Sequence, residues 1–351
     1  MKEKQHEFYM DRCIRLALNG IGRTYPNPMV GCVIVHNGKI IGEGWHQKAG
    51  EPHAEVNAIN SVKDESLLPE STLYVNLEPC SHWGRTPPCS DLIVRKKITN
   101  VVIGSVDYNS TVFGKGIEHL KKHACKVTVG VKEKECIELN KRFFTFHKRK
   151  RPYIILKWAE TKDGFIFPDI KNGQAEGKPV WISNKFSLQK VHQLRSEEQS
   201  ILVGINTAVN DNPKLDVRNY YGKNPLRLLI DKDLKLSSDS YLLNKKIKTV
   251  VFNAIKDAEE DKNLIYSKLD FDKRIPEQIL SYLYDMEIQS LIVEGGSLTL
   301  QRFIDKDLWD EARVFTGDIL FGKGLKAPVF DGELIDIQQI KNDELRIYRN
   351  D

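Results

Sequence analysis

The chain has 351 residues, of which 40% are hydrophobic and 29% are charged, and its net charge is +5. These proportions are those of folded globular proteins and exclude a fibrous or largely disordered chain, while the length predicts two domains. No apolar run approaches the roughly 20 residues that a membrane span needs. The polar first dozen residues are unlike a signal peptide, so we expect a cytoplasmic protein with no membrane partner.

Apolar periodicity and turn residues predict alternating helices and strands in the first half of the chain. The helices are predicted over residues 7–18, 53–62, 90–97 and 133–146, and the strands over residues 30–35, 39–44, 72–77, 100–106 and 126–130. His36-Asn37-Gly38 lies between the first two strands and is typical of a hairpin turn. The alternation indicates an α/β layered domain.

A basic run from His147 to Pro152 separates the two halves. Such a run can bind nucleic acid, but it is short and flanked by structured patterns, so we interpret it as a solvated linker and expect no nucleic-acid partner. We therefore predict domains over residues 1–147 and 148–351. The second half repeats the α/β pattern, with strands predicted over residues 153–158, 200–203, 226–230, 249–252 and 290–293.

The strongest chemical signal is His53-Ala54-Glu55, followed by Pro79-Cys80 and Cys89. One imidazole and two thiolates suit zinc in an open catalytic site, where the metal lowers the pKa of water to about 7. Glu55 lies two positions after the histidine, so it can miss the metal and shuttle protons to the substrate. Taken singly, each motif also fits chance or a structural zinc site. Together they are the signature of a zinc nucleobase deaminase.

The cysteines outside this signature show no ligand spacing. Six cysteines are too few for a disulfide scaffold. We expect the remaining ones to be small buried residues, at Cys13, Cys32, Cys125 and Cys136.

Eight residues separate Cys80 from Cys89, where the general deaminase signature has two. The insert contains His82 and Arg85 together with hydroxyl groups, all of which can bind a phosphate. This insert therefore predicts a small phosphorylated substrate.

With these motifs the sequence resembles the bifunctional deaminase-reductase family of riboflavin biosynthesis. The resemblance is carried by Pro26-Asn27-Pro28-Met29-Val30-Gly31, by His53-Ala54-Glu55 and by the run from Pro79 to Cys89. It implies a cytidine-deaminase-like three-layer domain that deaminates a phosphorylated diaminopyrimidinone. The implied site has zinc on His53, Cys80 and Cys89, Glu55 as proton shuttle, and Asn27 holding the substrate. His46 also matches the family and is expected to line the pocket, with a packed histidine whose ring nitrogens are satisfied as an equal alternative.

In the second half a buried-type strand meets Gly295-Gly296 and then a helix that begins near Leu298. Bare backbone amides at a helix start suit the phosphates of a dinucleotide, although such a turn is more often only a turn and the Rossmann fingerprint is absent. The second half resembles the reductase domain of the same family in Trp181-Ile182-Ser183, Asp211-Asn212-Pro213 and Glu294-Gly295-Gly296. This resemblance implies a dihydrofolate-reductase-like fold. NADPH would contact Trp181, Thr207, Asp211, Gly296 and Ser297, and the substrate would contact Arg195, Leu215, Arg218 and Glu294. Lys157 and Asp211 are the candidates for proton handling.

Two departures from the family predict a reshaped substrate loop. Lys162 stands where the family usually has an apolar residue, and the connection over residues 167–179 is long, with Pro179 where a hydroxyl is often found. Two other functions stay open on the sequence, a deaminase of cytidine or tRNA adenosine whose second half only binds, and a non-catalytic nucleotide sensor with a structural zinc. A homo-oligomer is possible, but the sequence does not give the oligomeric state.

Overall fold

The computed structural model describes residues 2–81, 83, 87–108, 114–169 and 180–350. The chain forms two compact units, Met1–Lys150 and Arg151–Asp351. Among the described residues, no helix combines the length and the apolar character that crossing a membrane requires.

The first unit is built on one twisted sheet covered by helices. Its helices are α1 (Lys2–Ala17), α2 (Ala54–Asn60), α3 (Cys89–Arg95), α4 (Lys115–Lys122), α5 (Glu133–Leu139) and α6 (Lys141–Arg149). Its strands are β1 (Gly31–His36), β2 (Lys39–Trp45), β3 (Thr72–Leu77), β4 (Asn100–Ser105) and β5 (Lys126–Val129), in the sheet order β2-β1-β3-β4-β5. Strands β1 and β2 form the predicted hairpin, and β3, β4 and β5 are parallel.

Alternate residues of these strands feed two separate cores, because successive side chains of a strand point to opposite faces. Leu73 and Val75 pack with residues of α2, α3 and α4 on one face. Tyr74 packs with residues of α1 and with Cys136 of α5 on the other. The predicted three-layer arrangement is therefore confirmed. The cysteines expected to be buried are buried and unpaired, at Cys13, Cys32, Cys125 and Cys136.

The structure corrects two sequence predictions near the end of this unit, the first wholly and the second in part. The helix predicted over residues 133–146 is broken at Asn140, where α5 ends and α6 begins. The run from His147 to Pro152 is a solvated linker only in part: Lys148, Arg149 and Lys150 are exposed and the boundary between the two units follows Lys150, but α6 continues to Arg149 and Arg151 is buried. The Arg151 guanidinium forms an ion pair with Asp310 at 2.6 Å, which draws it into the interior of the second unit.

The second unit contains a longer sheet with helices on both faces. Its helices are α7 (Lys185–Glu197), α8 (Ile205–Asp211), α9 (Ile275–Asp285) and α10 (Ser297–Ile304). Its strands are β6 (Tyr153–Thr161), β7 (Phe165–Pro168), β8 (Ser200–Gly204), β9 (Leu226–Ile230), β10 (Thr249–Asn253), β11 (Ala258–Asp261), β12 (Leu264–Lys268), β13 (Ser290–Glu294), β14 (Glu311–Gly317), β15 (Gly324–Lys326), β16 (Glu333–Ile340) and β17 (Asp343–Arg349).

Within the described residues the main sheet has the order β11-β12-β10-β9-β8-β13-β6-β14-β17-β16. The strands from β12 to β14 in this order are parallel to one another. Helices α9 and α10 pack on one face of the sheet, and α7 and α8 on the other. In sheets of this kind ligands bind beyond the carboxyl ends of the parallel strands, which is where the second predicted site lies.

Candidate active sites

The three predicted zinc ligands lie together in the first unit. His53 is the residue before α2, Cys80 follows β3, and Cys89 opens α3. His53 Nδ1 is 3.6 Å from Cys80 Sγ and 3.3 Å from Cys89 Sγ, and the three ligand atoms all lie within 4.8 Å of one another. One nitrogen and two sulfur donors at this spacing fit zinc and leave its fourth position to water or substrate.

The electrostatics of the cluster favour the thiolate form of Cys80, while the hydrogen bond to Cys80 raises the pKa of Cys89. A hydrogen bond from Cys89, opposed by burial and assisted by a hydrogen bond from His53, lowers the pKa of the Cys80 thiol to about 4. The backbone N–H of Cys89 also donates to Cys80 Sγ at 3.3 Å. Because the thiolate is the form that binds metal, Cys80 is prepared for zinc at neutral pH.

Glu55 lies in the first turn of α2 and is only 3% exposed. Burial raises the pKa of its carboxyl group, and the charge of Cys80 raises it further. A carboxyl group with a raised pKa beside the three metal ligands is suited to accept and release a proton.

Asn27 and His46 form a hydrogen-bonded pair next to His53. Asn27 Nδ2 is 3.0 Å from His46 Nε2, and His46 Nδ1 is 3.1 Å from the carbonyl oxygen of Pro52. That carbonyl can only accept, so Nδ1 carries the proton and Nε2 accepts from Asn27. His46 is buried, which lowers its pKa. Both ring nitrogens are therefore occupied by protein groups, and His46 orients Asn27.

The sequence analysis missed two buried asparagines and a glutamate beside this site. Asn140 accepts from the backbone N–H of Met29 at 2.8 Å and donates to its carbonyl oxygen at 2.9 Å, and Asn76 donates to the same carbonyl at 3.1 Å. Glu78 accepts backbone N–H bonds from Asp107, Gly114, Gly116 and Ile117. In the sequence, Asn76 could have been identified as a polar residue inside an otherwise apolar strand. His82 and Arg85, expected to bind phosphate, lie outside the described residues.

In the second unit a cavity of about 970 Å³ lies at the carboxyl ends of β8 and β13. All ten residues predicted for the reductase site line it, namely Lys157, Trp181, Arg195, Thr207, Asp211, Leu215, Arg218, Glu294, Gly296 and Ser297. The structure therefore brings together all the residues that were predicted to form the reductase site.

Glu294 is the centre of an ion-pair network in this cavity. Lys157 Nζ lies 3.0 Å from one carboxylate oxygen of Glu294, and Arg195 Nη2 lies 3.0 Å from both. Burial would raise the pKa of Glu294, but the charges of Arg195 and Lys157 lower it to about 2. Glu294 is thus ionised, and Lys157 is held as its partner.

The glycine turn predicted to hold a dinucleotide lies directly before α10. Gly295 has φ 123°, which favours glycine, and a Cβ there would lie 2.7 Å from Thr207 Oγ1. The Gly296 N–H donates to the same oxygen at 2.9 Å. Trp181 is 58% exposed along the cavity and can stack on an aromatic ring. The absence of bulky side chains at this turn and the exposed Trp181 ring fit NADPH.

The remaining predicted residues differ in their surroundings. Burial raises the pKa of Asp211, and the charge of Glu294 raises it further. The Arg218 guanidinium is paired with the Asp216 carboxylate. Lys162 forms an ion pair with Asp318. Pro179 and residues 170–178 lie outside the described residues.

Comparisons with known proteins agree with these two sites. The family model described as the cytidine and deoxycytidylate deaminase zinc-binding region matches residues 3–105, and the RibD C-terminal domain model matches residues 152–351. The riboflavin biosynthesis protein RibD of Aquifex aeolicus is 41% identical over 324 residues, which cover 90% of this chain and 88% of that protein. RibD of Escherichia coli is 33% identical, with 97% of this chain and 96% of that protein covered.

Solved structures cover the same length. A crystal structure from Thermotoga maritima, described as a diaminohydroxyphosphoribosylaminopyrimidine deaminase/5-amino-6-(5-phosphoribosylamino)uracil reductase, superposes with a TM-score of 0.89 at 36% identity and covers 99% of both chains. Acinetobacter baumannii RibD superposes with a TM-score of 0.86 at 30% identity, again with 99% of both chains covered. The predicted α/β fold class of both halves is confirmed.

Proposed function

Because this chain belongs to the RibD family of riboflavin biosynthesis, we propose that residues 1–147 carry its deaminase step and residues 148–351 its reductase step. The chain is a bifunctional deaminase and reductase, with zinc and NADPH as its cofactors. The observation that carries the proposal is that the three predicted zinc ligands lie together in the first unit, while the predicted reductase residues line one cavity of the second.

The proposed substrate is 2,5-diamino-6-(5-phosphoribosylamino)pyrimidin-4(3H)-one. The first unit removes an amino group from the pyrimidine as ammonia, with water as the other reactant. The second unit then reduces the ribosyl group to ribityl with NADPH, which gives 5-amino-6-(5-phosphoribitylamino)uracil. The product of the first unit is thus the substrate of the second, so one chain carries out two consecutive steps.

In the deaminase site, His53, Cys80 and Cys89 would hold zinc, which supplies a water of lowered pKa when it is bound. Glu55 takes a proton from water, passes it to the ring nitrogen and then to the departing amino group. Its raised pKa suits both halves of that transfer. Asn27 binds the substrate, and His46 orients the Asn27 carboxamide.

In the reductase site, Trp181, Thr207, Asp211, Gly296 and Ser297 would hold NADPH, which supplies the hydride. Arg195, Leu215, Arg218 and Glu294 would contact the substrate, with the two arginines as partners for its phosphate. Asp211 is better suited than Lys157 to handle a proton, because its pKa is raised while the Lys157 ammonium is paired with Glu294.

Three statements about the protein's surroundings stay predictions. We expect no nucleic-acid partner, a cytoplasmic location and, as one possibility, a homo-oligomeric state. The small-molecule substrate follows from the enzyme class.

A coupled assay tests the proposed function. Purified zinc-loaded protein receives the diaminopyrimidinone substrate with NADPH, and ammonia release and NADPH absorbance are followed separately. We expect both signals, with NADPH loss dependent on prior deamination. The Asp211→Ala variant should release ammonia at the normal rate and oxidise NADPH slowly. Ammonia release from free cytidine or tRNA at a comparable rate would contradict the proposed substrate.

A further inference from the structure

Arg227 of β9 is an almost completely buried arginine, 1% exposed, in the interior of the second unit. An arginine side chain has five N–H donors, and here each of the five has an acceptor. Nε donates to Thr249 Oγ1 at 3.0 Å, Nη1 to the carbonyl oxygens of Lys214 at 3.3 Å and Tyr241 at 2.9 Å, and Nη2 to those of Leu242 at 3.2 Å and Ile247 at 2.9 Å. All five acceptors are uncharged.

Two of these carbonyl groups belong to residues that line the reductase cavity, Lys214 and Tyr241. Tyr241 also donates its backbone N–H to Asn212 Oδ1 at 2.9 Å. Arg227 itself does not line the cavity in the described structure. Its guanidinium therefore reaches the site only through the backbone that it holds.

The backbone held by Arg227 is strained. Leu215 has φ 49° and Asn212 has φ 41°, both in the left-handed region. That region is uncommon for a side chain such as leucine, and it persists only where surrounding contacts enforce it. The peptide group directly before Leu215 is the one whose carbonyl oxygen accepts from Arg227.

We propose that Arg227 is a positioning residue of the reductase site, whose guanidinium fixes the strained segment 212–218 so that Leu215 and Arg218 face the substrate. This inference rests on the proposed substrate contacts of those two residues. Burial lowers the pKa of Arg227 to about 10, so the guanidinium stays charged and keeps all five donors at neutral pH.

Arg227→Lys tests the inference, because lysine keeps the charge but has three donors in place of a planar set of five. The matched control is Arg151→Lys, since Arg151 is also a buried arginine of the second unit, paired with Asp310 away from the cavity lining. Initial reductase rates are measured on the full zinc-loaded chain with saturating NADPH. The melting temperature and deaminase rate are recorded for the same samples.

We expect Arg227→Lys to raise the reductase KM for the deaminated pyrimidine about tenfold, because small displacements of binding groups have large effects. The reductase kcat and the deaminase rate of this variant should each stay within about twofold of the wild-type value. Arg151→Lys should lower the melting temperature comparably and leave the KM unchanged. An unchanged KM in Arg227→Lys, or an equal rise in Arg151→Lys, would overturn the proposal.

Two further variants keep the test decisive. If Arg227→Lys does not fold, Thr249→Val removes the acceptor of Nε together with the hydroxyl bond to the Ile247 carbonyl, and it should still raise the KM about threefold. An unchanged KM in that folded variant overturns the proposal. Arg218→Ala separates the two levels of inference. An unchanged KM there would overturn the substrate contact itself, whereas a raised KM beside a normal Arg227→Lys would overturn only the positioning role.

Discussion

The Nη2 atom of Arg195 lies 3.0 Å from both carboxylate oxygens of Glu294. Lys157 pairs with the same carboxylate from β6, so that one acidic group holds two cationic groups beside the cavity. Removing a buried carboxylate leaves its cationic partners unpaired, which costs more than the pair contributes when it is intact. Glu294 is therefore expected to matter both for substrate binding and for the stability of the second unit.

The first prediction concerns the pH dependence of this network. The folded-state pKa of Glu294 is about 2, below its ordinary value of 4.5. A lowered pKa stabilises the folded state above the unfolded-state pKa, and that contribution disappears as the pH falls toward the folded-state value. Glu294→Gln should thus lower the free energy of unfolding at pH 7, and the difference from the wild type should shrink between pH 4.5 and pH 2. Urea unfolding of both proteins across this pH range measures the difference in free energy of unfolding. A difference independent of pH would contradict the lowered pKa of Glu294.

The second prediction concerns the proton shuttle. Glu55→Gln keeps the size of the side chain but cannot exchange a proton, so deaminase kcat should fall by about 10² to 10⁴. Zinc content should stay at the wild-type level, because Glu55 is not one of the three clustered ligands. Zinc content and the rate of ammonia release are measured on the same preparation. Reduction of the already deaminated substrate serves as the control for folding. Full deaminase activity in this variant would exclude the shuttle role.

The third prediction separates ligand cysteines from buried ones. Cys80→Ser should lose zinc and ammonia release, since a serine hydroxyl stays protonated where the Cys80 thiol has a pKa of about 4. Cys125→Ser is the matched control, because Cys125 is buried and its Sγ only donates to the carbonyl oxygen of Ile98. It should keep zinc and activity. Chelation of the wild type should reproduce the Cys80→Ser phenotype and leave NADPH oxidation with the deaminated substrate intact, and equal zinc loss in both cysteine variants would refute the distinction.

The sequence predicted five of the parallel strands of the second sheet and missed β14, where Glu311 and Arg313 interrupt the apolar run. Strands β6, β8, β9, β10 and β13 are neighbours in the middle of the second sheet, and their near-continuous apolar runs are typical of parallel strands covered by helices. The edge strand β16 was missed, because Leu334, Ile335 and Ile337 are partly exposed and show no alternation of buried and exposed positions.

The ligand set of the deaminase site was predictable because short motifs carry it. The groups that hold these motifs in place were not, since Asn76 and Asn140 meet at Met29 only in the folded chain. The break between α5 and α6 has the same origin. Apolar periodicity predicts one helix through residue 140, but the carboxamide of Asn140 binds the backbone of a distant loop, and such tertiary contacts override local propensity.

The last prediction concerns that contact. Asn140→Ala leaves the buried N–H of Met29 without the acceptor it has in the wild type, and Asn76 still binds the Met29 carbonyl. An unpaired buried donor costs about 1 to 3 kcal/mol, so the loop that carries Asn27 should loosen and the deaminase KM should rise several-fold, while reductase kinetics stay normal. Asn253→Ala is the matched control, because Asn253 is an equally buried carboxamide of the second unit with its own backbone partners. That variant should lose stability and keep the deaminase KM. If both variants raised the deaminase KM alike, the effect of Asn140 would be general destabilisation, and the clamp on Met29 would have no specific part in placing Asn27.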